Sequence, residues 1–234
     1  MKKIAKLHYF PGRGRAESTR WMLAINNIEF ENISIKTPEM LLSLRATNKL
    51  PFDQMPLLEI DGINLSQSSA MVRFLARLGG LYGTNEEDAL WCDMIAGAVS
   101  DFAETALQAA FQPSPEIAIK SLKDRFSKFG PCFEDHLLKN SFGFCAGKQM
   151  TFADVLLAEA LSSYLEWIPN ILKDKPQISA LYEKVLNVKE INIYLNSSQR
   201  YPMPGKNYVI DVARVLQRAL PDHMSNPNRF ISTN

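Results

Sequence analysis

The stretch LHYFPGRGRAESTRW, residues 7–21, decides how the first part of the chain folds. A short apolar and aromatic run ends near Tyr9, and a proline and two glycines interrupt it before helical spacing begins. This order predicts a β-strand over 5–10, a tight turn, and a helix over 16–26. A tyrosine at a strand end can donate a hydrogen bond to an anion, although a core aromatic is the commoner explanation of such a residue.

Beyond this helix, apolar alternation and turn signals predict further strands and helices in a mixed order. Asp61-Gly62 lies between two apolar runs and is a strong signal for a hairpin. The order β-α-β-α-β-β-α is typical of a mixed sheet packed against helices. The expected elements are a strand over 28–35, a helix over 39–46, hairpin strands over 57–60 and 63–65, and a helix over 68–78.

After Gly83 the pattern becomes helical throughout, and no strand is expected. Thr151 and Asp154 have the spacing of a capping box, with Asp in place of the usual Glu or Gln. We therefore predict an α/β domain over 1–83, an all-helical domain over 84–220 and a mobile tail over 221–234. The expected helices span 86–111, 116–138, 151–167, 177–186, 188–195 and 208–220.

The composition is that of an ordinary globular protein. Of 234 residues, 46% are hydrophobic and 22% charged, and the formal net charge is +1. No concentrated basic face is visible, so no nucleic-acid partner is expected. No apolar run reaches the length of a membrane span, and the first ten residues lack the apolar core of a secretory signal. Three cysteines without a Cys-x-x-Cys pair favour a reducing compartment, so we expect a cytoplasmic protein without membrane association.

Several common kinds of catalytic motif are missing from the sequence. None of the three histidines is spaced with cysteines or carboxylates as in a metal site, so no metal is expected. The turn Gly12-x-Gly14 has Glu17 where a dinucleotide fingerprint requires a third glycine. No nucleophile elbow or phosphate-binding loop is present either.

Two later clusters are candidates for binding. A cis bond between Met55 and Pro56 would turn the backbone N–H and C=O of Met55 outward, although trans is the commoner state of such a bond. Hydroxyl and N–H groups at the helix start near Ser68 suit a carboxylate, although an ordinary N-cap is the commoner explanation of such a serine. Each signal is weak when it is taken alone.

Taken together, these signals resemble the cytosolic glutathione transferase family, and its alpha class most closely. The resemblance covers nearly the whole chain and implies a thioredoxin-like N-terminal domain followed by an all-helical one. It also implies reduced glutathione as co-substrate, no other cofactor, and a homodimer. The stretches that carry it are LHYFPGRGRAESTRW (7–21), PFDQMPLLEIDG (51–62), LSQSSAMVRFLA (65–76), ALWCDMIAGAVSDF (89–102) and GKQMTFADVLLAEAL (147–161).

The resemblance implies a role for each of a set of residues. Tyr9 matches the tyrosine that donates a hydrogen bond to the glutathione sulfur, and Arg15 matches an arginine that adds positive charge nearby. Both would act in catalysis by favouring the thiolate. The residues implied in binding the tripeptide are Tyr9, Arg15, Arg45, Gln54, Met55, Pro56, Gln67, Ser68 and, from the neighbouring subunit, Asp101.

The resemblance also implies a dimer contact and a pocket for the second substrate. Phe52 resembles the aromatic key that enters the partner subunit's helical domain. Two features depart from the alpha pattern: Lys128 lies nearest to the place where alpha members commonly have an arginine, and the last helix resembles the alpha-class lid but has fewer aromatics. The residues implied in the electrophile pocket are Phe10, Gly14, Leu107, Phe111, Ala213 and Leu216.

The expected activity is conjugation of the glutathione thiolate to hydrophobic electrophiles, as in detoxification of xenobiotics, with peroxidase or isomerase side activity. A ligandin-like carrier without turnover and a structural protein of the same fold are the alternatives. Retention of Tyr9, Arg15, Gln67 and Ser68 favours the enzyme, because a structural protein does not require them.

Overall fold

A computed structural model describes residues 4–225 of the chain. Its strands are β1 (Ala5–Tyr9), β2 (Phe30–Ser34), β3 (Leu57–Ile60) and β4 (Ile63–Ser66). They form a four-stranded sheet in the order β2-β1-β3-β4. β1 runs parallel to β2 and antiparallel to β3, which in turn pairs antiparallel with β4 across the Asp61-Gly62 turn.

The helices follow the order expected from the sequence. They are α1 (Glu17–Ile25), α2 (Pro38–Ala46), α3 (Ser68–Leu78), α4 (Glu86–Ala109), α5 (Pro115–Lys139), α6 (Phe152–Trp167), α7 (Pro176–Leu186), α8 (Lys189–Leu195), α9 (Lys206–Val215) and α10 (Asp222–Ser225). The predicted fold class is confirmed: a thioredoxin-like α/β region is followed by a region with only helices among its described residues. Within 4–225, no helix combines the length and the apolar character needed to cross a bilayer.

The capping box at the start of α6 is present. Asp154 accepts hydrogen bonds from the main-chain N–H and the hydroxyl of Thr151 at 2.7 and 2.8 Å. Its second oxygen accepts from the N–H of Cys145 at 2.6 Å. A buried aspartate thus satisfies donors at the helix start and ties down the preceding loop.

The last long helix ends earlier than predicted. Helix α9 stops at Val215, whereas apolar periodicity predicted a helix to residue 220. Gln217 has a φ of 53°, its N–H donates to the carbonyl of Arg214 at 3.1 Å, and the N–H of Arg218 donates to that of Ala213 at 2.9 Å. This is the Schellman pattern that closes a helix, formed here without the usual glycine.

The predicted tail over 221–234 contains one turn of helix, α10, at its start. The rest of that prediction, residues 226–234, lies outside the described residues. Elsewhere the predicted element ends differ from those observed by one or two residues, as is usual for frayed termini.

A buried polar cluster joins the two regions. Glu17 on α1 accepts hydrogen bonds from Arg20 at 2.9 Å, Trp21 at 3.2 Å and the hydroxyl of Tyr194 on α8 at 2.9 Å. Because the carboxylate has a cation and two neutral donors, its burial is compensated. The start of α1, where the turn with Arg13 and Arg15 ends, is therefore held against the helical region.

Candidate functional site

Tyr9 ends β1, and its buried ring places a hydroxyl beneath the following turn. That hydroxyl oxygen accepts a hydrogen bond from the main-chain N–H of Arg15 at 3.1 Å. Since the N–H occupies one lone pair of the oxygen, the hydroxyl proton remains available to donate to another group. The strand end and the turn thus orient one donor.

Gly14 directly precedes the N–H that binds this hydroxyl, and it has a φ of +43°. A Cβ added there would lie 2.6 Å from the hydroxyl oxygen of Tyr9 and 2.5 Å from that of Tyr208. Both the backbone conformation and the space therefore require glycine. The same measurement places the two tyrosine hydroxyls close together at one small gap beside Gly14.

Tyr208, in the first turn of α9, was not identified as a site residue from the sequence. Its ring lies against Gly12, where an added Cβ would be 2.3 Å from two ring carbons, and its edge meets the ring of Phe111 at 6.2 Å between centroids. Burial raises the pKa of Tyr208, and the nearby Tyr9 raises that pKa further. Its only sequence signal was an aromatic hydroxyl near the start of the last long helix.

The two arginines of the turn have different surroundings. Arg13 is buried, donates to both oxygens of Glu166 on α6 at 2.8 and 2.6 Å, and also reaches the carbonyl of Tyr201 at 2.7 Å. Arg15 is 51% exposed and pairs with Glu104 on α4 at 2.7 Å. Arg13 therefore anchors the turn, whereas the Arg15 guanidinium remains accessible beside Tyr9.

A second group of predicted residues lies around the start of α3. The Met55–Pro56 peptide bond is cis, and the N–H and C=O of Met55 have no hydrogen-bond partner within residues 4–225. Gln67, with a φ of 69°, donates its side-chain amide to the side chain of Gln54 at 3.3 Å. Arg45 donates to the carbonyl of Asp53 at 3.0 Å.

The first turn of α3 supplies free donors to this group. In the described part of the chain, the main-chain N–H groups of Ser68 and Ser69 have no acceptor, and neither do the hydroxyls of these two residues. A helix start with unpaired N–H groups favours a carboxylate. The unpaired backbone of Met55 suits an extended peptide added beside it.

A cleft between the sheet region and helices α4, α6 and α9 adjoins these groups. It encloses about 1090 Å³ of space, including the part open to solvent, and is lined by Gly14, Arg15, Ser68 and Tyr208 among others. Of the residues predicted for the electrophile pocket, Gly14 and Leu107 line it. The remaining four do not line it: Phe10 and Ala213 are buried, and Phe111 and Leu216 are partly buried.

Three residues whose predicted roles involve a second subunit lie apart from the cleft lining. Phe52 is 62% exposed. Asp101 is exposed on α4 and forms no hydrogen bond or ion pair within the described residues. The ammonium of Lys128 on α5 lies 5.5 Å from the ring centroid of Phe129.

The described residues provide no set of ligands for a metal ion. Among residues 4–225, no group of three or more His, Cys, Asp or Glu side chains is placed to hold an ion. The groups gathered near Tyr9 and α3 instead suit an extended ligand with carboxylates and a reactive atom close to a hydroxyl.

The chain belongs to the glutathione S-transferase family. Residues 5–77 match the model of the glutathione S-transferase N-terminal domain, and residues 100–198 match that of the C-terminal domain. It is 36% identical over 224 residues to the rat glutathione S-transferase alpha-4, which covers 93% of this chain and 100% of that one. The rat alpha-3 enzyme is 33% identical over 213 residues, 89% of this chain and 96% of the relative.

Solved structures show the same architecture. NaGST-2 superposes with a TM-score of 0.73 at 30% identity, covering 83% of this chain and 96% of its own. Na-GST-3 from the hookworm Necator americanus, described as a monomeric glutathione S-transferase, has a TM-score of 0.73 at 28% identity, covering 84% and 98%. Prostaglandin synthase D of Nilaparvata lugens has a TM-score of 0.71 at 28% identity, covering 86% and 100%.

Proposed function

We propose that this protein binds reduced glutathione and transfers its thiolate to hydrophobic electrophiles. The observation that carries the proposal is the hydroxyl of Tyr9, which accepts a hydrogen bond from the N–H of Arg15, keeps its own proton to donate, and lies next to Gly14, a residue that lines the cleft. The names of the relatives, glutathione S-transferases of the alpha class, support the same activity.

The chemical task is to ionise a thiol at neutral pH. A free thiol has a pKa of about 8.5, so only a few per cent is thiolate at neutral pH. A hydrogen bond from Tyr9 and the positive charge of Arg15 would both favour the thiolate. Lowering the pKa of the thiol by about two units corresponds to about 2.7 kcal/mol of preferential stabilisation.

The tripeptide would lie between the turn and the start of α3. The backbone of Met55, whose N–H and C=O are unpaired in the described part of the chain, would pair with the cysteinyl unit as a short added strand. Gln67 and Ser68 would bind the γ-glutamyl end, where free N–H groups favour its carboxylate. Arg45 and Gln54 would face the glycyl end.

The electrophile would enter the cleft from the side of α9. The sulfur lone pair forms a bond to the electrophilic carbon, and the leaving group departs with the electrons of its own bond. The thiol proton goes to solvent as the thiolate forms. Leu107 and Tyr208 would contact the electrophile, since both line the cleft with Gly14. Detoxification of xenobiotics, with peroxidase or isomerase side activity, is the role we propose.

A homodimer would complete the site. The exposed ring of Phe52 would insert into the helical region of the second subunit, and Asp101 of that subunit would reach the γ-glutamyl amine. Lys128 would serve the glycyl carboxylate in the same way. Because the related Na-GST-3 is described as monomeric, the family alone does not decide the oligomeric state.

We further propose a boundary between the two domains at residues 83 and 84, between α3 and α4. A cytoplasmic location is proposed on the three cysteines, each of which is free in the structure.

The test is conjugation of glutathione to a chromogenic aryl halide, followed by absorbance, for the wild type and for Tyr9→Phe. We expect clear turnover in the wild type and a rate lower by about 10- to 100-fold in the variant, since a hydrogen bond to a charged group is worth about 1.5–3 kcal/mol. Tyr182→Phe on α7, which does not line the cleft, serves as the control and should keep wild-type turnover.

Glutathione binding measured by calorimetry completes this test. Tight binding without turnover in the wild type would indicate the carrier, and equal turnover in wild type and Tyr9→Phe would reject the role of Tyr9.

A further inference from the structure

One face of α6 contributes a further carboxyl group, that of Glu159, to the cleft lining. Glu159, Ser163 and Glu166 are four and three residues apart, so they share this face, and all three line the cleft. Glu166 is paired with Arg13 and with Arg200. Glu159 forms no hydrogen bond or ion pair with any residue of the described part of the chain.

Unpaired hydroxyls line the same cleft as this carboxyl. Ser18 on α1, Ser100 on α4 and Ser163 on α6 all line it, and none of their hydroxyls has a hydrogen-bond partner within residues 4–225. Three different helices thus supply polar groups to a cleft whose lining is otherwise largely apolar. The apolar residues in this lining include Val72, Ala96, Val99, Ala103, Leu156 and Ala160.

The charges around Glu159 decide its protonation state. Burial raises the pKa of Glu159 to about 8, and the carboxylates of Glu17 and Glu166 raise it, whereas Arg13 and Arg200 lower it. At neutral pH the group is therefore mostly a carboxylic acid, which donates one hydrogen bond.

The other charged side chains that line the cleft, and the neighbouring Glu17, form ion pairs or hydrogen bonds of their own. Arg15 is paired with Glu104, Arg73 with Asp93, and the Glu17 carboxylate is bound by Arg20 and Tyr194. None of these interactions uses the carboxyl of Glu159, so its proton is free for a ligand.

We propose that Glu159 is a specificity-determining residue that donates a hydrogen bond to an acceptor oxygen on the electrophile. The inference rests on the proposed transferase function and names its substrate class. That class is an amphiphilic electrophile with an apolar body and a ketone, ester or ether oxygen separate from the carbon that sulfur attacks. A polar group left unpaired in a mostly apolar wall costs free energy, and such an oxygen offsets that cost.

Two matched ligands test this assignment by binding. One is S-hexylglutathione, and the other is its analogue with a ketone on the carbon before the terminal methyl. Calorimetry gives the dissociation constant of each for the wild type, Glu159→Gln and Glu159→Leu. Measurements at about pH 6.5 and about pH 9.5 lie on either side of the pKa of about 8. The ratio of the two constants cancels the common contribution of the glutathione part.

In the wild type we expect the ketone ligand to be preferred by about 5- to 10-fold at the lower pH, as one hydrogen bond provides. The preference should disappear at the higher pH, where the carboxyl has lost its proton. Glu159→Gln should keep the preference at both pH values, because the amide still donates, and Glu159→Leu should show none at either.

The same ratio in the wild type and in Glu159→Leu would overturn the inference while leaving the proposed function intact. Failure of both ligands to bind the wild type would overturn the two proposals together. Binding of S-hexylglutathione by the leucine variant shows that this variant is folded.

Discussion

The main-chain N–H of Arg15 donates a hydrogen bond of 3.1 Å to the hydroxyl oxygen of Tyr9. The side chain of the same arginine points elsewhere, toward Glu104 at 2.7 Å. Arg15 thus has two separable effects: its backbone orients the tyrosine hydroxyl, and its guanidinium supplies charge. A side-chain substitution removes the second effect and leaves the first.

Arg15→Leu should raise the pKa of the bound glutathione thiol by about one unit, because a nearby positive charge is lost while Tyr9 keeps its position. Glu104→Gln should shift that pKa downward, since the partner that partly neutralises Arg15 is removed. Ultraviolet absorbance of the thiolate as a function of pH measures both shifts. Shifts in the same direction for the two variants would contradict this account.

Gly14→Ala should lower turnover by at least about 10-fold, since the added Cβ would lie within 2.6 Å of the Tyr9 hydroxyl and displace it. Gly62→Ala is the matched control: its φ is also positive, at +82°, but nothing lies within 4 Å of an added Cβ. Both should lose about 1 kcal/mol of stability from backbone strain. Normal turnover in Gly14→Ala would show that the gap at Tyr9 is not needed.

Glu166→Ala should lower the free energy of unfolding by about 3–5 kcal/mol, because it leaves the buried guanidinium of Arg13 without its carboxylate. Asp135→Ala breaks an ion pair with Lys139 whose side chains are 59% and 74% exposed, and should change stability by less than about 0.5 kcal/mol. Denaturant titration followed by circular dichroism compares the two. Equal effects would mean that Arg13 does not anchor the turn.

Glu159→Gln should alter the pH dependence of stability. The wild-type carboxyl has a pKa raised from 4.5 to about 8, so the native state binds a proton that the unfolded state releases between these values. The contribution of this group to the unfolding free energy of the wild type is therefore fully present below pH 4.5, and it is lost as pH rises toward 8. The variant has no such loss. The unfolding free energy of the variant minus that of the wild type should therefore increase by about 1.4 kcal/mol per pH unit between these two pKa values.

Denaturant midpoints at several pH values measure this difference. The contributions of the other carboxyl groups cancel in it, because they are the same in both proteins. A difference that stays constant across the window would show that Glu159 titrates normally.

Phe52→Ser should convert a dimer into a monomer, because the exposed ring is the proposed key to the partner subunit. Phe142→Ser is the control, since Phe52 is 62% and Phe142 is 47% exposed and only the first belongs to the proposed interface. Light scattering coupled to gel filtration measures both masses. A monomeric wild type would reject the dimer and with it the proposed role of Asp101.

Most of the fold was predictable because its signals are local. The Asp61-Gly62 hairpin and the capping box of Thr151 with Asp154 depend on residues close together in sequence, and both are present. Helix α9 was predicted too long because Gln217 adopts a positive φ that is usually left to glycine. Sequence propensity alone does not reveal such a position.

The sequence by itself determined the order of strands and helices, the turn after Tyr9 and the family to which the chain belongs. Each of these depends on patterns of residues that are close together in the sequence. Only the tertiary structure brought the hydroxyl of Tyr208 beside that of Tyr9 and left Glu159 unpaired in the cleft. These placements depend on how α9 and α6 pack against the turn. A side chain's distant neighbours, and hence its burial and pKa, follow from that packing and not from the residues next to it in the chain.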